Sequence, residues 1–232
     1  MGNNVLVFAE QRDGVLKKVA FEMLGLGSQL AAGLGGTVEA ALLGSGLGGL
    51  PDTLAQYGAA KVYVADDPAL AKYSGEGYTN TLAALIGKIQ PAVVLVGATF
   101  MGKDLAPRLA ARLGVGLAAD CIAFAVDGGN LVATRPIFAG KALSKVKLLR
   151  TPQMATVRHK VMKAATKVEG HKGKIVEFDH IPIPEPEIEV LEMVREEGET
   201  VNLADADYIV SGGRGLKDPK NFELLRSLAK EL

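Results

Sequence analysis

"VVLVGATFMGKDLAPRLAARLG", Val93 to Gly114, joins an unbroken apolar run to a glycine-bearing loop and then to a segment whose leucines recur every four residues. Val93 to Val96 predict a strand covered on both faces, because a half-exposed strand would alternate apolar with polar residues. Leu105, Leu109 and Leu113 fall on one face of a predicted helix, with Arg108 and Arg112 on another. Asp104 suits the N-cap, Pro107 the first turn, where a missing N–H costs little, and Gly114 the C-terminal end. A buried strand feeding a helix is the building unit of a parallel sheet.

The same unit repeats on the N-terminal side. Near-continuous apolar runs at Val5 to Phe8, Val38 to Leu43 and Val62 to Val64 predict further parallel strands. Between them, Leu16, Val19, Met23, Gly27 and Leu30 recur at helical spacing, as do the apolar residues of "YTNTLAALIGKI", Tyr78 to Ile89. After Asp120 the period changes to two. The stretch Ala123 to Met162 alternates and is punctuated by Asp127 to Asn130, Ala139 to Lys141 and Thr151-Pro152, a pattern of antiparallel hairpins with Lys145 and Lys147 facing water and Val146 and Leu148 facing inward. The fold class is therefore α/β, a parallel Rossmann-like sheet with an antiparallel hairpin extension. Beyond it lies a proline-spaced acidic connector with one expected strand at Ile188 to Val194, and then a closing unit. That unit comprises a short strand (Tyr208 to Val210), a loop of glycines around one arginine, and a helix. The expected division is an α/β domain over residues 1–190, a linker over 191–205 and the beginning of a second domain over 206–232.

Composition narrows the functional classes. Lys+Arg and Asp+Glu number 26 each, so no net field draws the chain to nucleic acid or to an anionic membrane. Cys121, the one cysteine, lies in an apolar run and reads as a buried thiol in a reduced setting. The N-terminus has neither the basic region nor the apolar length of a secretory signal, and no run reaches membrane-spanning length. These features point to a cytoplasmic protein without membrane insertion. His159, His171 and His180 are widely spaced and, with one cysteine, make no metal set. No catalytic acid, base or nucleophile is assigned.

Three glycine motifs bear on ligand binding. Gly44, Gly46 and Gly49 spell G-x-G-x-x-G after a strand, with Asp66 or Asp67 where a ribose-binding acid would stand. They follow the second strand and precede Pro51, which favours a plain turn. Gly97 to Asp104 has Walker A spacing with Lys103 at the lysine position, but Asp104 replaces the hydroxyl that would hold magnesium. A nucleotide contact there without that metal chemistry stays open, and a stand-alone AMP- or ATP-binding module is the alternative reading of the chain. The third motif is "SGGRG", Ser211 to Gly215, in which glycines free the backbone for close approach and Arg214 offers a planar, permanently charged fork.

"GATFMGKDLAPRLAARLGVGLAADC" (97–121), "TRPIFAGKAL" (134–143), "MATVR" (154–158) and "VNLADADYIVSGGRGL" (201–216) resemble, in order and at similar spacing, segments of the electron transfer flavoprotein alpha-subunit family. The resemblance runs essentially end to end. It departs at His159, where the family often has proline, and at Lys141, where asparagine is common. The family implies a nucleotide-hydrolase-like first domain and a heterodimer with a beta subunit. Such a heterodimer carries electrons from flavin dehydrogenases, among them acyl-CoA dehydrogenases of fatty acid beta-oxidation, to a quinone reductase or other acceptor.

The resemblance also implies a second, FAD-binding domain that begins at the SGGRG segment, with Gly212, Gly213, Arg214 and Gly215 as cofactor-binding residues and Arg214 nearest the flavin. AMP, where the family uses it, is expected in the partner subunit. Because family chains continue with further flavin-binding segments, a truncated alpha subunit with an incomplete FAD site is expected. Such a protein is an electron carrier rather than an enzyme. Arg135, Arg150 and Arg158 alternate with apolar residues on the hairpins and read either as a solvated sheet face or as a contact with the beta subunit.

Overall fold

The structure, a computed structural model, describes residues 2–182, 188, 190–192, 206 and 208–232. The chain divides into two compact units, Met1–Leu191 and Glu192–Leu232.

The first unit is built on β1 (Val5–Phe8), β4 (Val38–Gly44), β5 (Lys61–Asp66), β6 (Val93–Gly97), β7 (Leu117–Cys121), β11 (Gln153–Val157) and β12 (Lys174–Glu177). These seven strands form one sheet in the order β12-β5-β4-β1-β6-β11-β7, and every pairing is parallel. Successive side chains of a strand point to opposite faces, and here both faces are buried. Val5, Val7, Val38, Ala40, Leu42, Val93 and Leu95 enter one core. Leu6, Phe8, Ala41, Leu43, Val94 and Val96 enter the other. This double coverage is the reason those segments read as continuous apolar runs.

The first face is covered by α1 (Lys18–Leu34), through Val19, Met23, Leu24 and Leu30, and by α2 (Leu50–Gln56), through Leu54 and Ala55. The second is covered by α3 (Gly75–Ile89), through Tyr78, Leu82 and Leu85, and by α4 (Phe100–Leu113), through Leu105 and Leu109. A three-stranded antiparallel sheet, β8 (Ala123–Asp127), β9 (Asn130–Ile137) and β10 (Ala142–Lys147), adds Leu131 and Ala133 to the first core. On β10 and just beyond it, Lys145 and Lys147 are exposed while Leu148 is buried, which matches the period-two pattern.

Several expectations change. The third punctuation of the alternating stretch, Thr151-Pro152, is not a hairpin turn, because β11 leaves the antiparallel sheet and inserts between β6 and β7. An apolar, alternating sequence does not specify its partner strand. The helix α4 begins at Phe100, where the Thr99 hydroxyl accepts the Gly102 N–H at 3.0 Å. Thr99 rather than Asp104 is therefore the N-cap, and Pro107 lies inside the helix. β7, β12 and a small hairpin of β2 (Gln11–Arg12) and β3 (Val15–Leu16) carried weak patterns. The hairpin turn Asp13-Gly14 has positive φ at both residues (53° and 75°), the conformation that an Asp-Gly pair favours.

In the second unit, Tyr208 to Val210 form no strand, and the one long element among the described residues is α5 (Phe222–Glu231). The expected strand at Ile188 to Val194 and the linker 191–205 lie largely outside the described residues, and 188 and 190–192 have no regular structure.

Candidate functional site

The chain runs from β1 outward through β4 and β5 and then returns past β1 to β6. Open α/β sheets bind ligands at such a reversal, beyond the carboxyl ends of the two strands. Val5 pairs with Val93 and Val7 with Leu95, so the ends of β1 and β6 lie side by side. The residues that follow them, Glu10 and Thr99, meet there. The Thr99 hydroxyl donates to Glu10 Oε2 at 2.5 Å. Glu10 is buried, and that burial pushes its carboxyl above the ordinary value of 4.5.

This arrangement gives the Walker-spaced glycines a packing role. A Cβ on Gly97 would stand 2.5 Å from Val19 Cγ2, and one on Gly102 would stand 1.8 Å from the Gly97 carbonyl oxygen. Both glycines let the first turn of α4 sit directly on the end of β6. In a phosphate loop the lysine opens the helix, whereas here α4 has begun before Lys103. A phosphate placed at this helix start would face the Glu10 carboxylate. Asp104 accepts the Tyr73 hydroxyl at 2.7 Å and Arg108 Nε at 3.0 Å, and the Tyr73 hydrogen bond holds its carboxyl below the usual range.

The G-x-G-x-x-G segment is likewise satisfied from within. Asp66 accepts the Gly46 N–H at 2.7 Å and the Leu47 N–H at 2.9 Å, clamping the loop after β4. Asp67 accepts the Ala69 N–H at 2.8 Å and pairs with His180 Nδ1 at 2.8 Å. Both candidate ribose acids are committed to protein groups.

The glycine–arginine loop of the second unit differs. Gly212 packs tightly, since a Cβ there would lie 2.5 Å from Leu216 Cδ1 and 2.6 Å from Leu225 Cδ1. Gly213 and Gly215 face open space, with nothing within 4 Å of an added Cβ. A single 3-10 turn, Arg214–Leu216, follows, tied by Leu216 N–H to Gly213 O at 3.0 Å and by Asn221 Nδ2 to Leu216 O at 2.6 Å. Arg214 is exposed, and its side chain forms no hydrogen bond or ion pair with any described residue. None of the described residues of the second unit is buried; α5 leaves Leu224 71 % and Leu228 51 % exposed.

The remaining candidates have structural places. Cys121 is buried, and burial raises its thiol to about 11, so it is neither a ready nucleophile nor a ready metal ligand. His171 Nδ1 lies 2.9 Å from the Ala55 carbonyl, and His159 is exposed. Among the described residues no three or more His, Cys, Asp or Glu are grouped to hold a metal ion, and no helix is long and apolar enough to cross a membrane. Arg158 pairs with Asp120 through Nε at 3.1 Å and a terminal nitrogen at 2.7 Å, which holds Asp120 below the usual carboxylate range. Asp120, Arg158 and Arg135 line one cleft; Arg150 does not. Asp120 carried no signal of its own, because its partner lies 38 residues away.

Residues 5–182 match the electron transfer flavoprotein domain family. The chain is 43 % identical over 233 residues to the electron transfer flavoprotein subunit alpha of Thermoanaerobacterium thermosaccharolyticum, covering 99 % of this chain and 70 % of that one. It is 38 % identical over 232 residues to the subunit of the same name in Bacillus subtilis, covering 100 % of this chain and 70 % of that one. It is 36 % identical to subunit LctC of the NAD(+),ferredoxin lactate dehydrogenase of Acetobacterium woodii, over 98 % of this chain and 55 % of that one.

Proposed function

The chain belongs to the electron transfer flavoprotein alpha-subunit family, and from that premise we propose that it works with a beta subunit as a heterodimeric, cytoplasmic electron carrier. Flavin dehydrogenases such as acyl-CoA dehydrogenases donate to it, and a quinone reductase or another acceptor takes the electrons on.

The cofactor in this reading is FAD, held in part by Gly212, Gly213, Arg214 and Gly215. One observation carries the assignment: Arg214 is a permanently charged side chain left without a partner among the described residues, between two glycines that face open space. The open flanks let a large planar ligand approach the backbone, and Gly212 fixes the loop by closing it on Leu216 and Leu225. FAD, when bound, supplies reversible uptake of electrons. With FAD bound, the Arg214 guanidinium would favour negative charge on the flavin and so raise its potential. The chain's own task is thus electrostatic tuning and positioning. In the first unit Glu10 stands at the sheet's reversal point and disfavours a phosphate group, which supports placing any AMP in the partner subunit.

The test is the flavin potential of an FAD-loaded heterodimer whose alpha subunit carries this chain together with the family's further flavin-binding segments. Arg214→Ala is expected to lower it by about 30 mV or more, the equivalent of a tenfold change for a two-electron couple, while Arg214→Lys recovers part of the loss. A potential unmoved by Arg214→Ala contradicts the assignment.

A further inference from the structure

The turn between β9 and β10, Phe138 to Gly140, meets Asp120 of β7 and Arg158 after β11 around an open cleft of ≈620 Å³. Arg135, from β9, lines the same cleft. Its charge is unbalanced. Two guanidinium groups share one carboxylate, and Arg158 already takes both oxygens of Asp120. Lys103 adds further positive charge within reach of Asp120.

A second observation is independent of the charge count. Arg135 Nε is buried and has no hydrogen-bond partner among the described residues. A buried N–H of a charged group that finds no acceptor is unfavourable unless something supplies one. The third observation is the backbone. Asp120, Phe138 and Ala139 all hold left-handed conformations, with φ of 57°, 51° and 53°. Non-glycine residues in that region cluster at ligand-binding and other functional sites. Phe138 and Ala139 owe theirs to the β9–β10 turn, closed by Gly140 N–H to Ile137 O, which leaves Asp120, within strand β7, as the residue the turn does not explain.

We propose that this cleft is an oxyanion site that receives a carboxylate or phosphate-monoester oxygen between Arg135 and Arg158, with the exposed Phe138 ring at its rim. The planar fork of Arg135 matches either group, and Arg158 adds the guanidinium edge that Asp120 does not take. A cation is excluded by the excess of guanidinium over carboxylate. The cleft belongs to the first unit, so the site stands or falls separately from the flavin assignment at Arg214.

The test follows the arginine Nε–Hε resonances of the full 232-residue chain during titration with inorganic phosphate and, separately, with acetate. The Arg135 and Arg158 signals are expected to move together along a saturating curve with a midpoint of about 1 mM or below, while that of Arg150, outside the cleft, drifts linearly. Saturation by phosphate alone identifies a phosphate monoester as the ligand group, by acetate alone a carboxylate, and by both an unselective oxyanion site. Arg135→Gln is expected to raise the midpoint at least about tenfold, read at Arg158. Should that variant fail to fold, Arg135→Lys, which keeps the charge and loses the fork, is expected to weaken saturation by a smaller factor. Linear drift of Arg135 and Arg158 in both titrations, indistinguishable from Arg150, overturns the proposal.

Discussion

Gly97 to Gly102 in the first unit and Ser211 to Gly215 in the second are alike in composition, each setting glycines close to a basic residue near the start of a helix. Their surroundings are opposite. At Gly97 and Gly102 the space a side chain would need is filled by Val19 and by the Gly97 carbonyl. At Gly213 and Gly215 it is empty, and Arg214 reaches no described partner. Glycine signals close approach in both places. In the first the approaching body is the protein itself; in the second the position is open to a ligand.

The largest expected effect separates the two directly. Gly102→Ala is expected to cost about 3 kcal/mol, because the clash is with backbone that cannot rotate away; the midpoint of urea unfolding measures it. If Gly102→Ala is neutral, the packing account of this loop fails. A smaller effect sharpens the electrostatic side of the contrast. The folded chain holds the Glu10 proton more tightly than the unfolded chain does, so stability falls as pH climbs from the ordinary carboxyl value through the raised one. Glu22, also raised by burial, contributes in the same direction. Glu10→Gln keeps an acceptor for Thr99 and removes the buried charge. It is expected to stabilise by ~1 kcal/mol near pH 8 and hardly at all near pH 4. Equal effects at both values would show that Glu10 is ionised without penalty. The smallest effect is on the open loop: Gly213→Ala and Gly215→Ala should each stay within ~0.5 kcal/mol in the same unfolding measurement.

These contrasts also mark what was legible in the sequence. Strands covered on both faces announce themselves as apolar runs, so β1, β4, β5 and β6 were readable, and so was the alternation that buries Leu148 and exposes Lys145. The destination of β11 was not, since its alternating residues suit an antiparallel neighbour as well as a parallel one. Pro107 suggested a helix start, whereas Thr99 with Gly102 three residues on was the true cap. Glycine spacing gave no hint of whether the space beside it was occupied. The Asp120–Arg158 pair, and Arg135 beside it, arise only when β7, β9 and β11 come together.

The chain purified alone, set against a heterodimer in which a beta subunit and the family's further flavin-binding segments are both supplied, tests the central claim most directly through visible flavin absorbance. Since no described residue of the second unit is buried, the Arg214 loop is expected to supply one wall of a pocket and to retain no flavin by itself. One equivalent of tightly held flavin on the chain alone would contradict the account.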